Sequence, residues 1–211
     1  MRDIPMFTTE NGIASLIFSQ IPYQKKAYIR IHSTLEPDAF LKECYGFCRA
    51  AGAEEIYATG VSFSREPDSI VIKMQAPSSG IGDTDALLMP VTESTLNDWV
   101  DIYNKKVVSL PNGAYMTARM AQELLGSGGG YWIHREGSPL GIGKISGSNI
   151  DWIASVVPGA GADIIKALCH GIFEDTVTLE VSSANKKALK LYESLGFVPV
   201  SQVDVWYRIN Y

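Results

Sequence analysis

Several things this chain has little of narrow what it can be. It carries 3 cysteines in 211 residues, an odd number with no framework spacing, so a disulfide-stapled secreted fold is excluded as a starting point. Cys44 and Cys48 stand one helical turn apart and read as small core residues. Reduced thiols point to the cytoplasm. Histidine is equally scarce, at 3. A metal site using Cys44 and Cys48 would have only His32 as an obvious further ligand, so no metal is expected. No run of Lys and Arg forms a basic face, and the net charge is −5, so nucleic acid is not an expected partner. No apolar stretch is long enough to cross a bilayer, and the N-terminus has no signal-like apolar segment, so no membrane role is expected either. Charged residues make up only 19%, against 46% hydrophobic, which predicts a packed core.

What is present is an alternation of short strands and amphipathic helices. Residues 13–21 and 27–33 read as strands around the Pro22–Lys26 turn. Pro37 opens a helix whose Phe40, Leu41, Cys44, Phe47 and Cys48 share a stripe, and Gly52 ends it. Strands follow at 54–59 and 69–75. Residues 76–84 are rich in Pro, Ser and Gly and read as a linker. A small N-terminal α/β unit at 1–78 and a larger domain at 85–211, joined by 79–84, are therefore expected.

Within 85–211 the expected order is β-α-α-β-β-β-α-β-α-β. Its strands are 86–91, 131–135, 139–146, 149–157, 176–182 and 203–209. Its helices run from a Thr92 or Ser94 cap to Tyr103, over 115–125, from the Gly-rich turn to about Phe173, and over 185–195. A faint internal repeat links strand–helix–strand 27–59 with strand–helix–strand 151–181.

Two segments could carry chemistry. In VVPGAGADIIKAL, residues 156–168, a strand runs into Pro158-Gly159-Ala160-Gly161-Ala162 and then a helix. Glycines allow close backbone approach, and a helix start presents unpaired N–H groups with partial positive charge, which suits a pyrophosphate. The absence of a Gly-Lys-Ser/Thr ending argues against a P-loop. In VSSANKKALKLYESLGF, residues 181–197, Asn185 caps a helix striped by Ala188, Leu191, Tyr192 and Leu195, and Gly196 supplies its left-handed end.

Together these segments resemble the GNAT acyltransferase superfamily. The resemblance is carried by V-x3-N-x2-A-x2-L-Y-x3-G-F at Val181, Asn185, Ala188, Leu191, Tyr192, Gly196 and Phe197, and by the element order of 85–211. It implies a mixed α+β, GNAT-like acyltransferase fold, with the N-terminal unit a degenerate half-copy. It also implies that strand 149–157 splays from strand 176–182 to admit the pantetheine arm of acetyl-CoA. Val156, Val157, Gly159, Ala160, Gly161, Ala162 and Asn185 would then touch the co-substrate, and Tyr192 would protonate the leaving thiolate. The acceptor would be an amine of a small molecule or peptide. The chemistry also asks for a base, for which Asp151 is the first candidate, with Glu180, Glu136 and His134 behind it. Backbone N–H groups of 153–157 could bind the oxyanion.

One departure bears on the cofactor. The family's loop has Gln or Arg near Ala160 and a glycine near Asp163, and here it looks about two residues short. An acid at position 163 disfavours a pyrophosphate unless it points away. A non-catalytic acyl-CoA-binding or sensing module is therefore the alternative to an N-acetyltransferase. The sequence is compatible with a homodimer and does not specify the acceptor.

Overall fold

The computed structural model describes residues 2–108, 110 and 113–211. The chain packs as two units, residues 1–71 with 202–211 and residues 72–201.

The first unit contains β1 (Ile4–Thr9), β2 (Gly12–Ile17), a short turn of helix α1 (Ile21–Gln24), β3 (Lys26–Thr34), α2 (Pro37–Ala50) and β4 (Glu55–Thr59). β1 and β2 form an antiparallel hairpin, β2 pairs antiparallel with β3, and β3 pairs parallel with β4. β11 (Val198–Arg208) adds antiparallel to β4 through Tyr207↔Ala58 and Arg208↔Tyr57. Helix α2 begins at Pro37, whose fixed φ suits the first helical position. It buries Phe40, Leu41, Cys44 and Cys48 against Leu16, Ile29, Ile31 and Ile56 of the sheet. The two thiols are fully buried, which pushes both pKa values up to about 12, so they behave as small apolar residues. Tyr28, Tyr57 and Trp206 form a separate aromatic cluster.

The second unit contains most of β5 (Ser69–Pro77), a 3-10 turn at Ser78–Gly80, β6 (Leu87–Pro90), α3 (Leu96–Val107), α4 (Ala118–Ser127), β7 (Gly130–Arg135), β8 (Ser138–Ser146), β9 (Asn149–Ser155), α5 (Gly161–His170), β10 (Thr176–Ser182) and α6 (Lys186–Ser194). Its strand order is β5-β10-β9-β8-β7-β6. β6 to β9 are antiparallel neighbours, and β9 pairs parallel with β10. On one side of this sheet Ile164, Ile165 and Leu168 of α5 pack with Val177, Leu179, Tyr192 and Phe197. On the other, Leu96, Trp99 and Tyr103 of α3 and Ala121 and Leu124 of α4 pack against Ile142 and Ala154. This is a mixed α+β architecture of the expected kind.

Local differences from the sequence reading have physical reasons. The strand expected at 13–21 stops at Ile17, because Gln20–Lys25 form a helical turn closed by Lys25 N–H on the Ile21 carbonyl. The helix expected from residue 115 starts at Ala118, where the Thr117 hydroxyl accepts from the Met120 amide. Thr95, rather than Thr92 or Ser94, stands at the start of α3; the hydroxyls of Thr92 and Thr95 face each other instead. The segment expected as a linker at 76–84 begins inside β5.

Candidate functional site

β9 and β10 are paired only near their starts, at Thr178↔Asn149 and Leu179↔Ile150. Beyond that point Asp151–Ser155 and Glu180–Ser182 have no registered pairs with one another among the described residues. Asp151 marks the parting. Lys144 is opposite Trp152 and Ile145 is opposite Ile150, so Asp151 is the extra residue of a β-bulge. In a regular strand Ile150 and Trp152 would share a face. The bulge separates them: Ile150 packs with α5, whereas Trp152 packs with α3, its ring 5.0 Å from that of Tyr103.

The Asp151 carboxylate is fully engaged at this fork. One oxygen accepts from Lys144 Nζ at 2.6 Å and Ser146 Oγ at 2.7 Å, and the other from Asn149 Nδ2 at 2.7 Å. Asn149 Oδ1 in turn accepts from Thr178 Oγ1 of β10 at 3.0 Å. Burial raises the pKa of Asp151, but the three hydrogen bonds and the Lys144 charge outweigh it and hold the carboxyl below the usual range. A carboxylate engaged by three donors, with its pKa lowered, is a weaker proton acceptor than a free one, which disfavours the general-base role expected of Asp151.

The strand then enters the glycine turn. The amides of both Val156 and Val157 donate to the Leu140 carbonyl, at 2.9 and 3.3 Å. These N–H groups were expected among the oxyanion donors; both are spent on Leu140. The Leu140 carbonyl serves both through its two lone pairs, and Leu140 is itself the bulged residue of β8 against β7, Ile133 lying opposite Gly141 and His134 opposite Pro139. Gly159 has φ +85° and open space where a side chain would begin. Ala160 occupies the cap position of α5 with no side-chain cap, so Gly161, Ala162 and Asp163 present the unpaired amides of a helix start. Gly161 does a different job from the one its position suggests. A Cβ there would lie 2.8 Å from the Leu191 side chain, so this glycine lets α5 approach α6.

Asp163 points away from the turn. Its carboxylate accepts from Arg135 Nη2 at 2.9 Å and from Thr84 Oγ1 at 3.3 Å. Arg135 lies at the end of β7 and also binds Asp85. The hydrogen bonds it donates to Asp85 and Asp163 hold its guanidinium charged.

On α6, Asn185 Oδ1 accepts from the Ala188 amide at 3.2 Å, the cap the sequence predicts. Tyr192 is 7% exposed and packs beside Phe197, ring centres 6.0 Å apart. Burial pushes its phenol up to about 12, which keeps the hydroxyl protonated at neutral pH. Of the other base candidates, Glu180 is exposed on β10 and Glu136 sits in the β7–β8 turn with φ 49°. His134 Nδ1 is buried without a hydrogen-bond partner. Sequence reasoning missed Arg135 and the double role of Leu140; an ion pair between residues far apart in sequence and a bulge leave no periodic signal.

The fold defined by this sheet, with its parted parallel strands and glycine turn leading into a helix, is that of the GNAT-like acyltransferases. No family pattern matches the sequence, and no curated protein matches it. The likeness is structural. A functionally unknown conserved protein from Staphylococcus epidermidis superposes with a TM-score of 0.62 at 13% identity, over 95% of this chain and 91% of that one. A GCN5-related N-acetyltransferase from Anabaena variabilis gives 0.61 at 13% identity, covering 93% of this chain and 58% of that one. One from Sphaerobacter thermophilus gives 0.58 at 10% identity, covering 93% and 76%. At such identities the shared property is the fold, and the chemistry must be argued from the site.

Proposed function

We propose that the second unit binds acetyl-CoA or a related acyl-CoA between β9 and β10 and transfers the acyl group to an amine of a small molecule or peptide. The observation that carries this reading is the parting of two parallel strands directly before an uncapped helix start. Unpaired backbone edges suit the amide-rich pantetheine arm. The turn Val156–Ala162 suits the pyrophosphate: Gly159 keeps it open, and the amides of Gly161 and Ala162 point outward from α5. Asp163, the residue that could have repelled that group, is held by Arg135 and Thr84. Asn185 lies at the start of α6 with its amide nitrogen available to the arm.

In the transfer the amine nitrogen attacks the thioester carbonyl, a C–N bond forms and the C–S bond breaks. The oxyanion is stabilised by amides of β9, and Tyr192 gives its hydroxyl proton to the departing thiolate. The proton lost by the amine returns to Tyr192 through solvent. Asp151 acts in this reading as part of the fork rather than as the base.

The test is thiol release from acetyl-CoA with a panel of polyamines, amino acids and peptides, read beside a calorimetric titration with CoA. Saturable binding with amine-dependent thiol release supports the transferase. Binding with no turnover on any amine favours the non-catalytic acyl-CoA module, and the spent Asp151 carboxylate is the feature that would explain it.

A further inference from the structure

The acid in the first turn of α5 is the chain's own competitor for the site. Asp163 is the third helical residue, where a negative charge lies close to the free amides of the helix start and is favourable to the helix. Here its carboxylate is held elsewhere: the N-cap amide of Ala160 donates to the Val157 carbonyl, and both Asp163 carboxylate oxygens are engaged by Arg135 Nη2 and by Thr84 Oγ1. Arg135 is anchored from its other side by Asp85, whose Oδ1 accepts from Arg135 Nε at 2.7 Å. Three separate segments, the stretch before β6, the end of β7 and the start of α5, thus converge to hold one carboxylate off its helix. An arrangement that only stabilised α5 would leave Asp163 on the amides, where it offsets the helix dipole without help from a distant arginine.

We infer that Arg135 is a positioning residue for the acyl-CoA site: by holding Asp163 away from the start of α5 it keeps the backbone amides free, and the local charge low enough, for a pyrophosphate. The inference rests on the proposed function. Arg135 acts through Asp163 and touches no phosphate itself. Without Arg135, the freed carboxylate caps α5 and repels the incoming anion. Folding is then little affected while affinity falls.

The experiment is a double-mutant cycle on the full chain, with CoA as the probe, affinity by calorimetry and folding by thermal denaturation. R135A should weaken CoA binding about tenfold at low ionic strength, with less loss as salt rises. D163A should bind as well as the parent or better. In the R135A/D163A chain the loss should vanish, because the competitor is gone. If R135A still costs the same factor in the D163A background, Arg135 contacts the phosphate directly and the positioning role is overturned. If R135A lowers only the melting temperature and leaves affinity intact, the ion pair is structural and the inference also fails. A parent chain that binds no CoA removes the proposed function itself, an outcome separate from either.

Discussion

The two units use one strand–helix–strand plan, and differ at the point where a ligand would enter. In the first, β3, α2 and β4 follow an antiparallel neighbour, β2; in the second, β9, α5 and β10 follow β8. In the first unit the parallel ladder runs without a break from Lys26↔Glu55 to Arg30↔Thr59. Beyond it, Gly60 at φ +101° brings the chain so close to Ile31 that a Cβ would overlap the Ile31 carbonyl. In the second unit the ladder ends after Leu179↔Ile150, at the bulged Asp151. The helix starts differ as well: Glu36, Pro37 and Asp38 lead into α2, where acids and a missing amide disfavour an anion, whereas Gly159, Ala160 and Gly161 lead into α5. The same topology is closed in one place and open in the other.

The largest expected effect comes from the glycine that closes the first gap. Gly60→Val should destabilise the chain by about 3 kcal/mol or more, through backbone strain and overlap with Ile31. Its counterpart at the open turn, Gly159→Ala, meets no neighbour and should cost only about 1 kcal/mol. Denaturant titrations of the two variants would measure this contrast, and equal losses would erase the distinction between a closed and an open turn.

Next is Tyr192→Phe. It keeps the packing against Phe197 and removes only the hydroxyl, so stability should change by less than about 1.5 kcal/mol. The rate of acyl transfer should fall at least about tenfold with CoA affinity unchanged. A rate equal to the parent's, with chemistry shown to be the slow step, would make Tyr192 a packing residue.

Ala162→Asp separates folding from binding. An acid in the first turn of α5 is favourable to the helix by a few tenths of a kcal/mol, about what a surface dipole interaction gives. The same charge should weaken CoA binding about tenfold. A melting temperature that holds while affinity drops is the expected pattern; unchanged affinity would move the pyrophosphate away from this turn.

A pH-dependent effect, outside that ranking of substitutions, is shared by both units. Buried thiols at Cys44, Cys48 and Cys169 are shifted from 9.0 to about 12, and Tyr57, Tyr103 and Tyr192 from 10.0 to about 12. Raised values mean that the neutral forms are favoured by folding. Their contribution is intact below pH 9 and is lost as the pH rises through the folded values. Stability should therefore decline from about pH 9 upward in a urea midpoint series. Cys48→Ala should flatten the first part of that decline, and a slope independent of the thiols would contradict the assignment.

Much of this was legible in sequence because it depends on local rules. Helix α2 follows from Pro37 and the stripe of Phe40, Leu41, Cys44 and Cys48, and α6 from Asn185 and Gly196. The glycine turn was visible from its residues alone. The parting of β9 from β10 was expected only through the resemblance, and nothing in residues 149–157 marks Asp151 as a bulge. Strand β1 was missed because Ile4–Thr9 is short, carries Pro5 and has Met6 exposed, as an edge strand can. The fate of Asp163 could not be read at all, since it turns on Thr84 and Arg135, which only the folded chain brings to it.

Amide hydrogen exchange with and without saturating CoA tests the central contrast most directly. The account predicts slowed exchange in Asp151–Ser155, Gly159–Asp163 and Glu180–Asn185, with Lys26–Thr34 and Glu55–Thr59 unchanged. No protection at millimolar CoA, or protection confined to the first unit, would contradict it.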